Sequence, residues 1–361
     1  MRKTFWGILF LCSYQILFAQ ETSSGKISGY MFGDYFYNVL RDSTLDNINN
    51  KALFGNKDIN GFSFRRIYFT YDYQISEKFS TRFRLESQSV VGAESTLFQT
   101  YIKDAYLNWK NIFEGSNLIF GIQPPPTFTI SESMWGYRSL ERTIMDLRKI
   151  ASSRDFGVSL KGKITNSGSV NYWLMFANGS VYESENDKFK RIYAHLDFLP
   201  SENFRVTVYG DYKFKPKKAY YGEGFNNDAL VTSLFIGYQV KKSLSVGLET
   251  FLQTNYNDVS RLTENTLTVK DRNVLGVSTF GHYNFSENLV GILRYDYFDS
   301  NISGDYKGDS RNFFLAGLDF KLHDKVSIIP NLEFETYQTP VNGVSIDPSL
   351  TVRVTFYYEF L

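Results

Sequence analysis

The sequence predicts an all-β protein, a transmembrane antiparallel β-barrel of about sixteen strands. Three observations predict it. Alternating apolar and polar segments of ~10 residues recur along the chain, separated by connections that are short and long in turn. Aromatic residues make up 17% of the chain, yet its mean hydropathy is only −0.28, which suits a wall with one lipid face and one wet face. Beyond the first residues, no run approaches the ~18 consecutive apolar positions of a transmembrane helix.

The chain opens with Arg2 and Lys3, then a mostly apolar run from Phe5 to Phe18, then Ala19 before Gln20. This reads as a secretory signal over residues 1–19, leaving 20–361 as the barrel. Cys12 is the only cysteine and lies inside that signal, so thiolate and disulfide chemistry are excluded from the remainder. The whole chain has 39 basic and 38 acidic side chains. Removing Arg2 and Lys3 leaves 39 − 2 = 37 basic against 38 acidic, and no global field points to nucleic acid.

The predicted strands are 26–38, 61–73, 79–88, 100–110, 117–123, 154–164, 169–177, 189–199, 204–214, 229–240, 244–254, 272–285, 289–299, 311–322, 326–338 and 350–360. In each, alternate side chains point to opposite faces. The last strand shows it best: Val352, Val354, Phe356, Tyr358 and Phe360 oppose Thr351, Arg353, Thr355, Tyr357 and Glu359. Phe79, Thr81, Phe83 and Leu85 oppose Arg82, Arg84 and Glu86 in the same way. Tight turns such as Ser76-Glu77-Lys78, Lys241-Lys242-Ser243 and Ser286-Glu287-Asn288 follow even-numbered strands. An even count puts both termini on the short-turn side, the periplasmic side of such a barrel. The barrel must close, because hydrocarbon offers no partner to an open sheet edge. At sixteen strands its lumen is wide enough for water.

The connection over residues 124–153 is the longest. It opens with Pro124-Pro125-Pro126, which ends the fifth strand. Leu140, Ile144, Leu147 and Ala151 then recur at helical spacing, so 139–151 is expected to be helical with Ser139 as its N-cap. The apolar stripe argues that this third external loop folds into the lumen and narrows it.

Gly121-Ile122-Gln123 leading into the prolines, Glu132, Lys103-Asp104-Ala105-Tyr106-Leu107 and Arg154-Asp155-Phe156-Gly157-Val158 together resemble the phosphate-selective porin O and P family of outer-membrane porins. The specific match covers about residues 100–165. The resemblance implies a sixteen-stranded barrel, usually trimeric, with an inward third loop. Phosphate selectivity in that family rests on an arginine ladder and a lysine cluster that cannot be placed here.

Charged rings at a narrow point set ion preference. Arg138, Arg142 and Arg148 are the candidates for the constriction, with Arg82, Arg84, Lys161, Lys163, Arg191, Arg205, Arg294 and Arg353 as a basic wall. Asp197, Asp211, Glu249, Asp319, Glu333 and Glu359 share the inward parity, so pairing with these acids is the plainer role for any one arginine. Lys213, Lys215, Lys217 and Lys218 cluster at an external loop, where they would draw anions in or simply be solvated. The three histidines, His195, His282 and His323, lie apart, with no Gly-x-Ser-x-Gly elbow, metal-ligand pair or Walker motif. The sequence therefore reads as a non-enzymatic, cofactor-free diffusion channel of the bacterial outer membrane. It would sit in outer-membrane lipid, as a homotrimer if the resemblance holds, and pass small hydrophilic solutes or anions. A surface scaffold or adhesin and a barrel hydrolase are the alternatives.

Overall fold

The computed structural model of the chain describes residues 24–44, 52–53, 55–89, 98–180, 185–264, 266–303, 309–338 and 345–361. The expected signal over 1–19, with Cys12, lies outside them. The strands are β1 (Ser24–Leu40), β2 (Asn60–Gln74), β3 (Phe79–Gln88), β4 (Gln99–Phe113), β5 (Ser116–Gln123), β6 (Asp155–Lys163), β7 (Val170–Ala177), β8 (Arg191–Phe198) and β9 (Phe204–Lys213). They continue, after the short pair β10 (Lys218–Tyr220) and β11 (Glu223–Phe225), with β12 (Ala229–Val240), β13 (Leu244–Thr263), β14 (Thr266–Ser286), β15 (Leu289–Asp299), β16 (Ser310–His323), β17 (Val326–Tyr337) and β18 (Ser349–Glu359). All but β10 and β11 form one closed antiparallel barrel of sixteen strands. Each of the sixteen sequence segments falls on one of them.

Closure runs through β1 and β18, with Tyr30 opposite Glu359 and Asn38 opposite Thr351. The alternation sorts the two faces as expected. Val352 and Val354 stand outward and exposed, while Thr351 and Thr355 are buried inside. Outward apolar side chains are matched by an inner face dense in charge, which is the inverse of a soluble sandwich.

Three features differ from the sequence expectation. β13 and β14 extend together well beyond residues 254 and 272, across a break in register between Asn255 and Val259. β10 and β11 form a small hairpin where only a loop was expected. The long third loop is not one helix over 139–151. It carries α1 (Thr129–Trp135), closed by Gly136 at φ 69°, and the single turn α2 (Ile144–Leu147), whose N-cap is Thr143 rather than Ser139. The helical spacing of Leu140, Ile144, Leu147 and Ala151 has a different cause: all four are buried against the lumen wall. Their pattern records burial on one side of the loop, which does not require a continuous helix.

Candidate constriction and pore lining

The third loop lies inside the barrel and carries its apolar core with it. Met134, Trp135, Leu140 and Leu147 pack on Phe235, Phe280, Val290, Ile292, Phe313, Leu315 and Ile329 of the inner wall. Ile144, Met145, Ile150 and Ala151 pack on Met175, Tyr193, Val231, Phe251 and Phe298. The loop covers these apolar stretches of the wall. Burying each such side chain is worth about 1.5–3 kcal/mol, so the loop is held as firmly as a protein core.

Polar contacts fix its position around the ring. From β2, the Arg65 guanidinium donates to the Ser139 and Leu140 carbonyls at 2.7 and 2.8 Å. From β15, Arg294 donates to the carbonyl of Arg142. Ser245 of β13 donates to Met134 O at 2.9 Å, and the Tyr137 hydroxyl donates to Asp319 Oδ2 at 3.1 Å. Within the loop, the Trp135 indole donates to Glu141 O at 2.7 Å.

The three candidate arginines of the loop occupy different settings. Arg148 is fully buried, 2.7 Å from the equally buried Glu335 of β17, with its guanidinium over the Phe298 ring. Arg138 bridges Glu132 at 2.5 Å and Asp146 at 2.7 Å. Arg142 keeps about a quarter of its side chain exposed and pairs with Glu141 at 3.2 Å. Burial alone would raise the Glu141 carboxyl, but Arg142, Arg65 and Arg353 outweigh it and hold it well below the usual carboxylate range. Asp146 is depressed likewise, with Arg138 and Arg142 overcoming burial.

The wall arginines are paired with acids. Arg82 meets Asp72 at 2.6 Å, Arg191 meets Asp211 at 2.6 Å, Arg205 meets Asp197 at 2.6 Å, Arg294 meets Asp296 at 2.5 Å and Arg353 meets Glu333 at 2.7 Å. Arg84 lies 3.6 Å from Asp104 and donates to Thr70. Lys161 sits over the Trp173 ring, and Lys163 is exposed near the short-turn end. Of the external lysines, Lys213 donates to Gly179 O and Lys218 pairs with Asp258.

Sequence parity missed part of this wall. Arg65 and Arg66 are neighbours and should face opposite sides, yet Arg65 reaches Asp34 and Arg66 reaches Glu86. A bulge explains it: Phe32 pairs with Arg66 and Gly33 with Phe64, leaving Arg65 as the extra residue. A second bulge on β4 frees Lys103 between partners of Arg84 and Leu85, and Lys103 reaches Glu86 at 2.8 Å. The patch formed by β2–β4 and the loop's exit then holds six cations, Arg65, Arg66, Arg82, Arg84, Lys103 and Arg154. Four carboxylates face them, Asp34, Asp72, Glu86 and Asp104.

The family-like motif residues brace the loop where it leaves and rejoins the wall. Arg154 pairs with Asp104 of the Lys103-to-Leu107 segment. Asp155 accepts from the Tyr193 hydroxyl at 2.5 Å and from the Gly179 amide. Gly121 sits at φ 130°, where a Cβ would fall 2.2 Å from the Ala105 carbonyl oxygen, so only glycine fits there.

Two cavities flank the loop. At the long-loop end, a vestibule of about 440 Å³ is lined by Arg142, Lys149, Arg191, Lys213 and Lys215, with Asp146 as its acid. At the short-turn end, a chamber of about 1030 Å³ reaches up to Arg138. Asp146 lines the first and Arg138 the second, so their ion pair stands between them.

No protein-family model matches this chain. No curated protein matches it either. Solved structures do. The outer membrane channel DcaP of Acinetobacter baumannii superposes with a TM-score of 0.66 at 12% identity, covering 94% of this chain and 97% of that one. An anion-selective porin from Comamonas acidovorans gives 0.59 at 13% identity, covering 94% and 100%. Salmonella typhi OmpF gives 0.60 at 10% identity, covering 93% and 97%. The chain has the porin fold.

Proposed function

We propose that the protein is a passive channel of the bacterial outer membrane, admitting small hydrophilic solutes with a preference for anions. The observation that carries this reading is the inward loop, whose Arg138–Asp146 ion pair stands between cavities of about 440 and 1030 Å³ inside a closed barrel. A loop that only capped the rim would leave no such neck. The apolar outer face supports a bilayer location, and the wet inner face supports an aqueous path. On this reading the short turns are periplasmic and the long loops extracellular.

Anion preference rests on the vestibule, where Asp211 offsets Arg191 and Glu141 offsets Arg142 but Lys149, Lys213 and Lys215 add charge against Asp146, and on the six-to-four excess at the β2–β4 wall. Arg142 is the constriction residue best placed to act on a passing ion, because it is partly exposed and lines the vestibule beside Asp146. Arg138 pairs within the loop beside the neck, and Arg148 anchors the loop from behind. The resemblance to phosphate-selective porins and the anion-selective neighbour of the same fold both favour this preference. Trimeric assembly fits the same resemblance. Refolded protein added to a planar bilayer should give discrete, steady conductance steps in KCl. A folded barrel that inserts without conducting would end the channel reading.

A further inference from the structure

The inner chamber differs in character from the vestibule. Its charges balance: Arg138, Lys242 and Lys321 face Glu287, Asp319 and Asp324. It is also walled by rings on two sides. On one, Tyr30 stacks on Tyr68 with centroids 4.6 Å apart and approaches Tyr357 at 5.9 Å. On the other, Tyr137 stands edge-on to His282 at 5.3 Å and to Trp135 at 5.9 Å. Tyr30, Tyr137, His282 and Tyr357 all line the cavity.

One acceptor there lacks a donor. Asp319 is 3% exposed. Its Oδ2 accepts from Tyr137, while its Oδ1 has no hydrogen-bond partner among the described residues. The Nδ1 of His282 is in the same position. Both atoms are closed to solvent, so they lie behind the chamber's surface; the carboxylates that a solute in the chamber can reach are the exposed Glu287 and Asp324.

Ring faces with a fringe of hydroxyl, amide and carboxylate groups suit a solute that is apolar on its C–H face and hydroxylated at its edge. Balanced charge gives no advantage to an ion. We infer that the chamber is a binding site for neutral saccharides, with Tyr30 and Tyr357 as ring platforms and Glu287 and Asp324 as hydroxyl acceptors. This rests on the channel reading for its access route. A volume of about 1030 Å³ has room for more than one sugar ring.

The test uses maltotriose as probe on the refolded full barrel, with two readouts. Saturation-transfer NMR in detergent measures binding directly, and planar-bilayer recording in KCl measures block. Maltotriose should bind saturably and reduce the current. Tyr30→Ala and Tyr357→Ala should each weaken both effects roughly tenfold, the loss expected for one stacked ring. Two substitutions at separate ring positions guard against one failing to fold. Conduction without maltotriose binding would overturn the saccharide site and leave the channel intact. Binding without conduction would keep the site and refute the channel. Equal affinity in wild type and both variants, or tighter binding of benzoate than of maltotriose, would overturn the inference.

Discussion

Replacing Arg142 with glutamate changes the charge beside the neck by two while leaving its scaffold in place. The Arg142 carbonyl is held by Arg294, a contact that does not involve the Arg142 side chain. Glu141 keeps Arg65 and Arg353 nearby. An ion passing ~6 Å from the substituted charge feels about 0.7 kcal/mol per unit charge in water, reduced to about 0.4 kcal/mol by 0.1 M salt. Two units amount to about 0.8 kcal/mol, or roughly fourfold for each ion. The cation gains and the anion loses, so the permeability ratio should move about fifteenfold towards cations. The assay is the zero-current potential of single channels under a KCl gradient, compared between wild type and Arg142→Glu. A shift of under twofold in ratio, in a channel of normal conductance, would remove Arg142 from the ion path.

Three further outcomes follow from the same geometry. Deleting Ser139–Ala151 removes the part of the loop that fills the lumen together with its β2 and β15 anchor points, and single-channel conductance should rise; a folded barrel of unchanged conductance would refute the constriction. Arg148→Met leaves the buried Glu335 without its ion-pair partner, with only the Ala52 amide and Tyr337 hydroxyl still donating to it, costing about 3–5 kcal/mol, and a fall in Tm should be largely restored by the double substitution Arg148→Met, Glu335→Leu. The Glu141 and Asp146 carboxyls lie below their ordinary range when folded, so the contribution they make to loop anchoring is present above the unfolded values near 4.5 and 3.8 and is lost only as pH falls through the lower folded values. Conductance recorded from pH 7 down to 4 should therefore stay constant, and an opening of the channel near pH 5 would contradict the pairing.

The barrel itself was legible in the sequence because a strand's two-residue period writes each face directly into the chain. Val352, Val354 and Phe356 against Thr351, Arg353 and Thr355 needed no further information. The inward loop was legible for a related reason, since Leu140, Ile144 and Leu147 had to be buried somewhere. What they pack against was not legible. Phe280, Phe313 and Ile329 interrupt the polar inner parity of their strands, and that interruption is the trace left by the loop. Arg65 and Lys103 were missed because bulges break the period by one residue. The Phe64-Arg65-Arg66-Ile67 run, with two adjacent charges in an otherwise alternating strand, was the available signal. Pairing was beyond reach as well: Arg148 with Glu335 joins residues far apart in sequence, and no local pattern records it.

A loop-narrowed neck below a basic vestibule conducts through this barrel. Reversal potential of the wild-type channel under a KCl gradient tests it most directly. The wild-type channel should carry steady single-channel current whose zero-current potential has the sign of chloride preference. A cation-preferring sign would contradict the basic vestibule, and an inserted barrel that carries no current would contradict the channel altogether.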